Sequence, residues 1–181
     1  MKKMLITAFE PFGGSGINTS ALVLERLPER IGAYEVEKTL LPVVFRKAAE
    51  AALRCPADAV FLLGEAGGRE TVTPECRGRN LRDARIPDNE GNRPSGERIL
   101  PDAPEEYRSV FPLEEIIEQM RTEGYGIMLS EDAGTYVCND TFFLTGIQSP
   151  VPVQFIHVPA KPEEAGEYAR TVGRFIELCM K

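Results

Sequence analysis

Apolar positions along this chain fall into short unbroken runs separated by longer stretches with helical spacing. Lys3 to Ala8 is a compact apolar run followed by a loop of Pro and Gly residues, the pattern of a buried strand. Ala21, Leu22, Val23, Leu24 and Leu27 then follow a helical repeat, with Asn18 or Thr19 as N-cap and Pro28 marking the end. Tyr34 to Leu41 reads as a second strand and Val43 to Leu53 as an Ala-rich helix. Asp58 to Leu63 reads as a third strand that runs into a glycine loop, Gly64 to Gly68. A βαβαβ order calls for crossover connections, so the fold class expected is α/β: a three-layer α/β/α sandwich around a mixed, mostly parallel sheet.

Periodicity is weaker in the middle. Arg77 to Leu100 is rich in Arg, Asp, Asn, Gly and Pro and holds at most two β-compatible stretches; an ordered loop of that length is usually functional. Beyond it the pattern predicts a helix from Pro112 to Gly124 and a strand over Tyr125 to Ser130. A helix starting at or just before Cys138, a last strand from Val153 to Val158 and a closing helix from Pro162 to Met180 complete the chain. At 181 residues the chain has the length of a single domain, 1–181, with no internal repeat or linker.

Composition narrows the function. Hydrophobic residues make up 43% and charged residues 27%, as in an ordinary globular protein, and the net charge is −7. With no dense Lys/Arg run, binding to nucleic acid or to an anionic membrane is not expected. The apolar stretch Met4-Leu5-Ile6 is interrupted too soon for a signal peptide or membrane span, which points to a cytoplasmic protein with reduced thiols. Cys55, Cys76, Cys138 and Cys179 form no C-x-x-C pair, so neither a structural zinc site nor another metal or cofactor is expected.

The cysteines and the single histidine carry the candidate chemistry. A thiol at a helix N-terminus gains from the macrodipole, and Cys138 follows the turn Asp132-Ala133-Gly134. Against that, cysteine by itself is more often a small buried hydrophobe, a role that suits Cys55 and Cys179. His157 falls at the C-terminal end of the last strand, the edge where open α/β sheets bind ligands, and it is the only imidazole available as a general base. A carboxylate would complete such a pair. Glu75 is one of several acids in reach, and spacing alone does not select it. The loop Phe9-Glu10-Pro11-Phe12-Gly13-Gly14-Ser15-Gly16 permits two readings. It is half of a dinucleotide fingerprint, with Thr19 at the third glycine position, or one wall of an apolar small-molecule pocket.

Six segments taken together resemble pyroglutamyl peptidase I, the pyrrolidone-carboxylate family of cysteine peptidases. They are Phe9 to Gly14, Gly64 to Arg69, Thr73-Pro74-Glu75, Asp83 to Asn92, Ala133 to Asn139 and Phe155 to Pro159, in the family's order over nearly the whole chain. The resemblance implies an exopeptidase that removes N-terminal pyroglutamate. Glu75, Cys138 and His157 would be its triad, Arg85 would lie near the oxyanion, and a thioester would be the intermediate. It also implies a slot for the lactam built from Phe9, Phe12, Ile86, Tyr136 and Val137. Gly13, Asn18 and the Gly64 to Gly68 loop would add to it, and the chain would be able to form homo-oligomers. The chain departs from the family pattern in places. Glu65 replaces a glutamine or leucine, Asp140 stands where a histidine is usual, and the segment from Cys138 to His157 is short. A carboxylate at Glu65 would repel or redirect substrate. A cysteine hydrolase of another small amide or lactam, or a noncatalytic nucleotide-binding domain, are the alternatives.

Overall fold

Strand β1 (Lys2–Phe9) lies at the centre of the molecule, whose computed structural model describes residues 2–181. Helix α1 (Thr19–Arg26) follows it, then the short β2 (Arg30–Ile31) and β3 (Tyr34–Leu41). Next come α2 (Lys47–Leu53), β4 (Ala59–Ala66), β5 (Thr73–Pro74), β6 (Arg77–Arg79) and β7 (Glu106–Arg108). The C-terminal third supplies α3 (Leu113–Thr122), α4 (Val137–Gln148), β8 (Val153–Pro159) and α5 (Ala165–Cys179). Six strands form one sheet in the order β2-β3-β1-β4-β8-β5. Its four inner strands are parallel, and β2 and β5 run antiparallel at the two edges.

The sheet is covered on both faces at its centre, which is why β1, β4 and β8 read as continuous apolar runs, whereas β3 alternates buried and exposed positions. Alternation of side chains sorts each strand between two cores. Met4, Ile6, Ala8, Phe61, Leu63, Ile156 and Val158 pack with α1, α3 and α5 on one face. Leu5, Phe9, Val60, Leu62, Val153 and Phe155 pack with α2 and α4 on the other. Two positions beyond Phe155, His157 points to the same face as Phe155, the side on which α4 carries Cys138. Helix α4 is sandwiched between that face and the small β6–β7 pair, and Asn139 through Thr145 are all buried.

The expected α/β/α sandwich with a mixed sheet is the fold observed. Four local expectations differ. Tyr125 to Ser130 is not a strand; it touches its neighbours through two isolated bridges, Val72 to Ile127 and Glu75 to Ser130, too few for a ladder. Helix α2 starts at Lys47 rather than Val43, because Arg46 takes a left-handed backbone (φ 65°) that no helix continues through. The closing helix begins at Ala165, after a single 3-10 turn over Pro162–Glu164. Residues of the irregular middle do pair, but β6 finds β7 beyond Leu100, a partner no local pattern announces.

Candidate active site

The C-terminal ends of β1, β3, β4 and β8 converge on one edge of the sheet, where α4 begins. Register places His157 of β8 between Gly64 of β4 and Thr73 of β5. The β5 edge delivers Glu75 one residue past its last paired strand position, where its backbone N–H donates to Phe155 O at 2.9 Å. As a result His157 Nδ1 lies 2.7 Å from Glu75 Oε1. The carboxylate is fully buried and the imidazole nearly so. A carboxylate can only accept, so the proton of this bond sits on Nδ1 and Nε2 is left unprotonated in the neutral ring. The bond to Glu75 is the imidazole's one side-chain hydrogen bond among the described residues.

Cys138 is the second residue of α4, in the helix's first turn as its sequence context predicts, and is half-buried. It packs over Gly64, the β4 register partner of His157. A Cβ on Gly64 would stand 2.8 Å from Cys138 Sγ and 2.7 Å from Phe155 Cζ, so only glycine lets the sulfur sit against β4. The helix terminus was expected to lower the thiol's proton affinity; the opposite holds. Burial, reinforced by the Glu75 and Glu65 carboxylates, pushes the Cys138 thiol up to about 12. At neutral pH it rests as a protonated thiol and needs a base to become a nucleophile.

Beside the sulfur is a narrow slot lined by Phe9, Phe12, Asn18, Val43, Glu65, Tyr136, Val137 and Cys138. The Phe12 and Tyr136 rings lie 6.1 Å apart, and Phe45 backs Tyr136 edge-on at 5.4 Å. Asn18 is the N-cap of α1: its Oδ1 accepts from Ser20 N at 3.0 Å while its Nδ2 donates to Glu10 O at 3.1 Å, tying the Phe9 to Phe12 loop to the helix. Gly13 and Ile86 are not among the lining residues. They face each other, a Cβ on Gly13 falling 3.9 Å from Ile86 Cδ1. Arg85 is exposed in the same loop, with no hydrogen bond or ion pair among the described residues.

Glu65 does not stand free in the slot. Its Oε2 accepts from Thr19 N, the first amide of α1, at 2.6 Å. This contact bears on the nucleotide reading, because the helix terminus that would cradle a phosphate already holds a carboxylate. Asp140 is also spoken for. It is buried two residues beyond Cys138, accepts from Arg46 N at 2.7 Å and pairs with Arg82, anchoring the first turn of α4 to two loops.

Sequence reasoning did not single out three contributors. Val43 lines the slot from the C-terminal end of β3, a position that the convergence of strand ends could have flagged. Arg69, inside the quoted glycine-loop segment, donates to Glu75 Oε1 at 3.0 Å. Asp88 accepts from Phe45 N at 3.0 Å and from Glu90 N and Asn92 N at 2.9 Å, joining the loop of Ile86 to the Val43–Phe45 wall. Only folding reveals these last two.

Known proteins show the same arrangement of chain. A family model described as pyroglutamyl peptidase matches residues 2–173. The pyrrolidone-carboxylate peptidase of Staphylococcus saprophyticus is 40% identical over 171 residues, 90% of this chain and 80% of that protein. The crystal structure of Bacillus amyloliquefaciens pyroglutamyl peptidase I superposes with a TM-score of 0.89 at 33% identity, covering 99% of this chain and 97% of the other. For the pyrrolidone carboxyl peptidase of Thermococcus litoralis the TM-score is 0.91 at 31% identity, covering 99% and 94%. A model match over nearly the full length, close relatives and a shared fold lead to one conclusion: the chain belongs to the pyroglutamyl peptidase family.

Proposed function

We propose that the protein is a cysteine exopeptidase that removes N-terminal pyroglutamate from peptides, with Cys138 as nucleophile, His157 as general base and Glu75 as the group that orients it. The observation that carries this reading is the buried Glu75 to His157 hydrogen bond beside a slot that bears a thiol at its wall. Nε2 of His157 takes the proton from Cys138 as Sγ attacks the pyroglutamyl carbonyl. The contact between nucleophile and base closes as substrate binds, a tightening common in such sites. The imidazolium then protonates the leaving amine, and water, deprotonated by the same nitrogen, hydrolyses the thioester and frees Cys138. Arg85 swings from its exposed loop to the developing oxyanion, where a guanidinium matches the charge.

The lactam is flat and uncharged, which suits a slot walled by Phe9, Phe12 and Tyr136. Its N–H and ring carbonyl would meet the polar groups that line the same space, and proline, lacking the carbonyl, would leave a donor unpaired. The reaction as drawn uses the side chains alone and needs no metal or cofactor. We place this activity in a single domain, 1–181, in the cytoplasm, where its thiols stay reduced, with assembly into homo-oligomers a further expectation. Among the described residues no helix is long and apolar enough to cross a membrane.

Release of a reporter amine from pyroglutamyl amide tests the reading. Wild type turns over, Cys138→Ser and His157→Ala fall by at least ~10³-fold, and Glu75→Gln falls nearly as far because the ring loses its orienting acceptor. Absence of wild-type turnover across neutral pH, or turnover that survives Cys138→Ser, would overturn it. Preference for a prolyl or acyclic amide in the same assay would instead favour hydrolysis of a different small amide.

A further inference from the structure

Glu75 has an unusual arrangement of partners for a fully buried carboxylate. Both of its side-chain contacts fall on Oε1, from His157 Nδ1 at 2.7 Å and Arg69 Nη2 at 3.0 Å, while the buried Oε2 has no hydrogen-bond partner. Burying an ionised carboxylate is costly unless a cation pairs with it, and Arg69 is the cation that does so here. The guanidinium is fixed by two further bonds: Nη1 donates to Thr73 Oγ1 at 2.9 Å, and Nη2 donates to Asp132 O at 2.9 Å. Thr73 is the β5 register partner of His157. Arg69 therefore clamps the strand beside the imidazole, the carboxylate beneath it and the loop leading to Cys138.

We propose that Arg69 is a positioning residue that, by pinning Glu75 and sharing its charge, keeps His157 aimed and able to accept a proton at neutral pH. This inference rests on the reading of His157 as general base. A carboxylate whose only partner is an imidazole favours the charged ring, and a ring that already holds its proton cannot take one from Cys138. A guanidinium 3.0 Å from the same oxygen offsets that pull, and arginine stays charged at every pH the fold survives. Titratable groups on the neighbouring segments have partners of their own or carry no charge. Glu65 of β4 is held by Thr19 N, and Asp132 is paired with Arg79. Glu70 is paired with Lys161, and Cys138 of α4 is a neutral thiol.

Because His157 is the chain's only histidine, its ring proton gives a single NMR titration in the untagged protein without any substrate. Arg69→Met removes the charge, while Arg69→Lys keeps the charge and loses the fork. The titration midpoint is expected to move up by about one pH unit in Arg69→Met and to stay near wild type in Arg69→Lys. The acid limb of kcat/KM on pyroglutamyl amide moves with it, so activity at the foot of that limb drops about tenfold relative to the variant's own plateau. If Arg69→Met unfolds, as judged by its melting curve, Arg69→Gln is titrated in its place. A midpoint that does not move or moves down on loss of the charge overturns the proposal, as does an equal upward shift in Arg69→Lys. The titration needs no turnover, so it stands or falls separately from the peptidase reading.

Discussion

The backbone N–H of Thr19 donates to Glu65 Oε2 at 2.6 Å, so a carboxylate that lines the slot doubles as the anion at a helix N-terminus. Such a terminus offers unpaired amides and a positive dipole end, each favouring negative charge. Glu65→Gln keeps an acceptor for Thr19 and removes a charge that raises the Cys138 thiol. The variant is expected to label at Cys138 a few-fold faster with a neutral alkylating agent and to turn over pyroglutamyl amide at least as fast as wild type. Glu65→Leu, which leaves the amide bare, should lose about 1 kcal/mol in denaturant unfolding. Slower labelling in Glu65→Gln would mean that the carboxylate aids the thiol rather than hindering it.

Thiol reactivity separates the four cysteines. Burial and two carboxylates hold the Cys138 proton up to about 12, so without a base the thiolate fraction climbs tenfold per pH unit through the neutral range. In His157→Ala, labelling of Cys138 by iodoacetamide should rise steadily with pH and show no plateau below pH 10. In wild type it should already be substantial near pH 7, because the imidazole takes the proton as the sulfur attacks the reagent. Burial also raises Cys76 and Cys179, and both should label slowly throughout. Mass spectrometry of labelled peptides reads all four positions, and identical pH profiles for wild type and His157→Ala would remove His157 from the proton's path.

Gly64→Ala probes the close approach of α4 to β4. The added methyl would fall 2.7 Å from Phe155 Cζ and 2.8 Å from Cys138 Sγ, inside any tolerable contact. Overpacking of this kind costs roughly 1–3 kcal/mol. Turnover should fall further than stability does, since the sulfur is one of the two groups that must move. Unchanged kcat with a wild-type melting temperature would show that the sulfur has room the structure does not.

Asp88 should govern acid stability of the slot. Burial alone would raise its carboxyl, but hydrogen bonds from Asn92, Phe45 and Glu90 outweigh it and hold the group below the ordinary carboxylate range. A lowered native value means stability fully present above the unfolded value of about 4 and lost as pH falls through the native one. Asp88→Asn should therefore be less stable than wild type at pH 6 by about 1–3 kcal/mol in urea unfolding, with the gap narrowing toward pH 3. A gap that stays constant over that range would mean that shape, not charge, sets the contribution of Asp88.

Local pattern was sufficient wherever the chain writes its own structure. The central strands β1, β4 and β8 are apolar on both faces, α5 carries Tyr168, Val172, Phe175 and Ile176 on one side, and Asn18 caps α1; each is a property of adjacent residues. From these followed the crossover order and the sandwich, along with the placing of His157 at a strand's C-terminal end. The same reading gave no reason to choose Glu75 among many acids, because what distinguishes it is a pairing across 82 residues. That pairing exists only once β5 has docked antiparallel on β8.

Sequence by itself determined the layers, the lone imidazole and the first-turn position of Cys138. Tertiary structure decided the rest: that the thiol is held protonated, that Glu65 is bound by a helix terminus, and that Arg69 shares the Glu75 oxygen with His157. The division has a physical cause. Strand and helix follow from a few neighbours in the chain, whereas proton affinity follows from burial and from charges a few ångströms away in space, contributed by segments that are distant in sequence.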